Sequence, residues 1–101
     1  MVRWPASFVW DEGNQKKCQK QGLSIAEIEA FFAGTPRVAP DLKHSGTEER
    51  FVAVGRDRHG RPIFVVFTMR EREGQLHIRP ISARHMHRKE IEGYEKKSSE
   101  A

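Results

Sequence analysis

The apolar positions change period midway along the chain. In the first half, Ile25, Ile28 and Phe32 fall at i, i+3 and i+7 with Phe31 widening the stripe, which predicts a core-facing helix. Ser24-Ile25-Ala26-Glu27 opens it as a capping box. Upstream, Phe8, Val9 and Trp10 form a short apolar run after Pro5 that suits an N-terminal strand. Asp11 then offers a capping oxygen, and a nearly all-polar helix is expected from Glu12 to Gln21, with Gly22 as its stop. Gly34, Pro36 and Pro40 end the second helix and open a loop reaching about Thr47, which carries Asp41, Lys43 and His44.

In the second half the period shortens to that of strands. Glu49 to Arg56 and Arg61 to Met69 are strand candidates, joined by the hairpin turn Asp57-Arg58-His59-Gly60. The second of these is apolar at nearly every position, as a central strand covered on both faces requires. A polar turn, Arg70 to Gly74, leads into a strand from Leu76 to Ile81. Pro80 lacks an N–H, which places it on an edge, at a bulge or at the strand's end. A last helix is expected from His85 to Lys97, followed by a frayed tail from Ser98 to Ala101. The predicted order is β-α-α-β-β-β-α: an α+β fold with a small antiparallel sheet and packed helices.

Length and composition narrow this picture. A chain of 101 residues is one domain, residues 1–101, able to bury one modest core. A net charge of +4 and a pI of about 9.6 favour polyanionic partners. Cys18 is the single cysteine, so no internal disulfide forms, and the expected role of this side chain is packing in a reducing compartment. The N-terminus lacks the apolar core of a signal peptide and no run is long enough to span a bilayer, so the expected location is the cytoplasm.

Charge is concentrated between Leu76 and Tyr94, where a strand runs into a basic helix carrying Arg84, Arg88 and Lys89. Guanidinium groups present a planar fork of donors suited to phosphate, so this junction points to RNA or DNA. Lys16, Lys17 and Lys20 add a second basic face. His85 and His87 invite a metal reading, but two positions apart they diverge, and no carboxylate or cysteine cluster completes a site. Neither metal nor cofactor is expected.

Several words in the chain, taken in order, resemble the BrnT family of type II toxins. They are Trp10-Asp11-Glu12, Lys20 and Gly22, Glu49-Arg50-Phe51 with Gly55, Gly60-Arg61, and Thr68-Met69-Arg70. The strongest is Arg79-Pro80-Ile81-Ser82-Ala83-Arg84, followed by Arg88, Glu90 and Tyr94. The chain departs from the family pattern at Gln21, where the family commonly has histidine, and at Pro80, where it favours isoleucine. The resemblance implies a RelE-like fold and a ribonuclease that halts translation. It also implies a cognate ribbon-helix-helix (BrnA-like) antitoxin and a toxin–antitoxin complex that binds its own promoter DNA.

RNA is cut without metal when a base takes the 2′-OH proton and cations stabilise the charge growing on phosphorus. Arg70, Glu73, Arg84 and His85 are the catalytic candidates, with Arg70 and Arg84 expected to meet around one phosphate. Lys16, Lys17, Lys20, Arg79, Arg88 and Lys89 are the candidates for holding the RNA backbone. Competing structural roles stand beside these: Arg70 and Glu73 in a merely solvated turn, Arg84 paired with Glu90, Asp11 or Glu12, and Arg88 paired with Glu92. The alternative function is a non-catalytic module that binds nucleic acid or the antitoxin on the same fold.

Overall fold

The computed structural model describes residues 7–34, 36–43, 46 and 48–100, of which 98–100 as backbone only. Helices α1 (Glu12–Gln19) and α2 (Ile25–Ala33) are followed by strands β1 (Arg37–Pro40), β2 (Phe51–Arg56), β3 (Pro62–Arg72) and β4 (Gln75–His85), then helix α3 (Arg88–Glu100). The strands form one antiparallel sheet in the order β1-β2-β3-β4. The α+β class with an antiparallel sheet is therefore as expected, but the element order is not.

Two segments exchange roles. Phe8 makes only an isolated parallel bridge to Ile78, held by Val9 N–H to Ile78 O at 2.8 Å and Ile78 N–H to Ser7 O at 3.1 Å. Pairing stops there because Asp11 already caps α1, its carboxylate accepting from Asn14 N–H at 3.0 Å. Conversely, Arg37–Pro40 lies in the expected loop yet pairs with β2, from Arg37↔Val54 to Pro40↔Phe51. It is a short, fully exposed edge strand, so no buried alternation marks it in the sequence. His44 and Thr47 of that loop lie outside the described residues.

The two capping boxes set the helix starts, and α1 ends at Gln19, two residues short of expectation, before Gly22 at φ 90°. The buried side chains Cys18, Ile28, Phe31 and Phe32 of these helices, with Leu23 of the connection between them, cover one face of the sheet. Phe32 sits edge-on to Phe67 at 5.1 Å, and Phe51 stacks on Phe67 at 5.5 Å. Cys18 is fully buried among them, and burial pushes its thiol up to about 11, which suits packing rather than nucleophilic chemistry.

On β3, Ile63, Val65 and Phe67 point into this core, while Phe64 and Val66 point to the opposite, half-covered face. The β3–β4 connection is a two-residue turn, Glu73-Gly74, with φ of 51° and 78°, tighter than the expected Arg70–Gly74 loop. β4 runs on through Ser82–His85, where a helix start was expected, because the apolar positions Ile63–Val66 need a partner strand. α3 accordingly begins at Arg88 and continues to Glu100. Pro80 stands at a bulge: Val66 faces Ser82 and Phe67 faces Pro80, leaving Ile81 as the extra residue. Buried Asn14 fixes this point, its side-chain amide donating to Pro80 O and to Val9 O, both at 2.9 Å.

Candidate nucleic-acid cleft

The β3–β4 hairpin separates the catalytic candidates into two groups. Arg84 faces Phe64 across the ladder and His85 faces Ile63, whereas Arg70 faces His77 and Glu73 sits at the hairpin tip. Six residues along β3 separate Phe64 from Arg70, roughly 20 Å of strand. Arg70 instead pairs with Glu48 at 3.4 Å. The expected meeting of Arg70 and Arg84 around one phosphate therefore does not occur, and Glu73 lies farther away still.

The basic candidates also divide. Arg79 donates to Asp11 at 2.8 Å. The Asn14 backbone N–H and then the Arg79 guanidinium hold the Asp11 carboxyl below its usual range. Lys16 pairs with Glu12 at 3.2 Å, and Lys16 and Lys17 on α1 and Lys20 at its C-cap lie exposed, while α1 packs against β4. Arg88 and Lys89 are exposed in the first turn of α3, beside the open face.

Besides a 3.4 Å hydrogen bond to His85 O, Arg84 has two side-chain partners. Its guanidinium donates to both carboxylate oxygens of Glu90, at 2.7 and 3.0 Å, and lies 4.6 Å from the Phe64 ring centre. Of Glu90, Asp11 and Glu12, Glu90 is the carboxylate it takes. Glu90 also accepts from His87 N–H at 2.8 Å, so it ties the start of α3 to β4. The Arg84 hydrogen bonds bring the Glu90 carboxyl down to about 2 against the cost of burial.

His85 points away from this pair, since successive strand residues face opposite sides. Its Nε2 is buried without a hydrogen bond, 3.8 Å from Asp57 Oδ2. Asp57 is itself buried in the β2–β3 turn, accepting from His59 N–H, Arg61 N–H and Arg61 Nε. Burial pushes its carboxyl up, but these hydrogen bonds and the Arg61 charge outweigh it and the net shift is downward. His85 thus adjoins Arg84 in sequence but not in a shared pocket.

The open face carries a feature that the sequence does not announce. Arg84, Phe64, Val54 and Arg37 form one cross-strand row from β4 to β1. A cleft of about 430 Å³ lies over the Phe64, Val54 and Arg37 part of this row, lined also by Glu90, Tyr94 and Lys97 among others. Its floor is apolar, Arg37 and Lys97 are its lining cations, and Arg84 borders it through Phe64 and Glu90. Arg37 falls in the segment expected as a loop, and Arg56 stands at a strand end, where a charged residue carries no signal. Pairing of β1 with β2 brings Arg37 beside Arg56 and the Tyr94 ring. Among the described residues no three His, Cys, Asp or Glu side chains gather as a metal site, and no helix is long and apolar enough to cross a membrane.

Comparison with the curated proteins finds no match. The profile of the family described as "Ribonuclease toxin, BrnT, of type II toxin-antitoxin system" matches residues 10–90, from Trp10 at the end of the bridging segment to Glu90 in the cleft. The chain therefore belongs to the BrnT family of ribonuclease toxins of type II toxin–antitoxin systems.

Proposed function

We propose that this toxin cleaves RNA internally and without a metal ion, in the cleft between α3 and the open face of the sheet. The observation that carries this reading is the row Arg84–Phe64–Val54–Arg37, which sets an apolar floor for bases between two guanidinium groups. Single-stranded RNA is held by that combination of stacking surface and cationic rim. Arg88 and Lys89, exposed at the start of α3, extend the rim.

In the proposed mechanism the scissile phosphate takes over the Arg84 guanidinium from Glu90. A carboxyl held near 2 is a weak base, but release from Arg84 returns it toward the ordinary range. Glu90 then accepts the 2′-OH proton as the 2′-oxygen bonds to phosphorus. The P–O5′ bond breaks, and the departing 5′-oxygen takes a proton from solvent water. Arg84 stabilises the charge on phosphorus throughout. Arg70, Glu73 and His85 have no part in these steps.

Membership of a type II system supports an antitoxin partner and an RNA target. We extend this to an antitoxin with a ribbon-helix-helix half and a complex that binds its own promoter, acting in the cytoplasm.

The test is incubation of the purified protein with RNA in excess EDTA. Cleavage should persist and leave 2′,3′-cyclic phosphate ends, and Arg84→Ala should lower the rate about 100-fold or more. Cleavage abolished by EDTA, or an Arg84→Ala variant as active as wild type, contradicts the mechanism. The complete engagement of Arg84 by Glu90 favours one competing reading, a module that binds RNA without cutting it. Gel retardation with no cleavage products would establish that reading instead.

A further inference from the structure

Arg37 on β1 and Arg56 on β2 are diagonal neighbours on the open face, because Arg37 pairs with Val54, two residues before Arg56. Both guanidinium groups approach the same ring: Arg37 lies 5.8 Å and Arg56 5.6 Å from the centre of Tyr94. A second concavity of about 310 Å³ opens beside them, lined also by Gly34, Pro36 and Gly55. Arg56 donates to Gly60 O at 2.9 Å and meets Glu95 at 3.4 Å in a solvent-exposed pair. Arg37 faces no carboxylate among the described residues. Two cations held against one ring with a single exposed countercharge leave a net positive site.

We propose that Arg37 and Arg56 form a second phosphate-binding subsite, taking a phosphate of the RNA strand other than the one that is cut. This rests on the reading of the cleft as an RNA site and adds its substrate class. Arg37 and Arg84 stand at opposite ends of a row that crosses four strands, about 14 Å apart at the backbone. One strand must therefore present two separate phosphates to fill both subsites. Tyr94 aligns the two guanidinium groups at the subsite, so the toxin selects a polynucleotide running along the row over a terminal or single-phosphate substrate.

The test uses a fluorescent 2′-O-methyl RNA oligonucleotide, which cannot be cleaved, with binding followed by anisotropy across a series of salt concentrations. Arg37 and Arg56 are exposed, and circular dichroism of the Arg37→Gln/Arg56→Gln double variant checks that the fold is kept. The double variant should bind about tenfold more weakly, and its slope of log affinity against log salt should be shallower by about 0.7, the loss of one single-strand phosphate contact. An affinity and slope equal to wild type, alongside weakened binding by Arg84→Gln, overturns the subsite and leaves the cleft reading standing. No binding of the oligonucleotide by wild type overturns both.

Discussion

Arg84 grips both carboxylate oxygens of Glu90, so the end of β4 and the first turn of α3 are fastened by one ion pair. The same guanidinium is the cation assigned to the scissile phosphate. Substrate and helix thus compete for one side chain, and the fold keeps the arginine in position until RNA arrives.

This pair makes stability depend on acid. The folded-state carboxyl of Glu90 lies near 2, below its ordinary value of 4.5, so its contribution is complete above about 4.5 and is lost as pH falls toward 2. Discounted for partial exposure, it amounts to roughly 1–2 kcal/mol. Urea denaturation of wild type and Glu90→Gln should differ by that amount at neutral pH and converge as the solution is acidified.

Asp57 organises the β2–β3 turn from a buried position. Asp57→Ala leaves His59 N–H, Arg61 N–H and Arg61 Nε without their acceptor, which should cost about 2–3 kcal/mol. Thermal or chemical denaturation measures it, and a loss no greater than that of an exposed carboxylate would contradict the role.

Asn14 holds α1, the Ser7–Val9 segment and the bulge together through two buried carbonyls. Asn14→Leu should destabilise by roughly 2–3 kcal/mol, since Val9 O and Pro80 O are then left unpaired. Denaturation should show this loss without a change in the fold's circular dichroism signature.

Arg70 and Glu73 supply a control, because the hairpin tip is remote from the cleft. Arg70→Ala and Glu73→Ala should keep RNA cleavage within about twofold of wild type, the range of surface changes away from reacting groups. A rate assay under the conditions that expose the Arg84→Ala defect makes the comparison. Large losses would move the site to the far end of the hairpin.

Local signals in the sequence announce much of this architecture. Asp11, Ser24 and Glu27 mark the helix starts, and the spacing of Ile28, Phe31 and Phe32 marks a buried face. The constraint on Pro80 is met by a bulge, and Arg84 of the basic junction lies over Phe64 and on Glu90, both of which line the cleft. What stayed hidden depends on pairing between distant segments. β1 is an exposed edge with no alternation, so neither its existence nor the placement of Arg37 beside Val54 could be read. The extension of β4 through His85 puts His85 on the opposite face from Arg84, because successive strand residues alternate sides. The expected meeting of Arg70 with Arg84 failed for a similar reason: a tight two-residue turn lengthens the hairpin and carries Arg70 away.

The central claim is that RNA lies along the row from Arg84 to Arg37, and methyl NMR tests it most directly. Val52, Val54 and Met86 line the cleft, while Leu76 is exposed near the far hairpin tip and Ile78 is buried on the other face. On titration with the uncleavable oligonucleotide, the methyl signals of Val52, Val54 and Met86 should shift and those of Leu76 and Ile78 should stay in place. Shifts centred on Leu76, with Val54 and Met86 unmoved, would contradict the account.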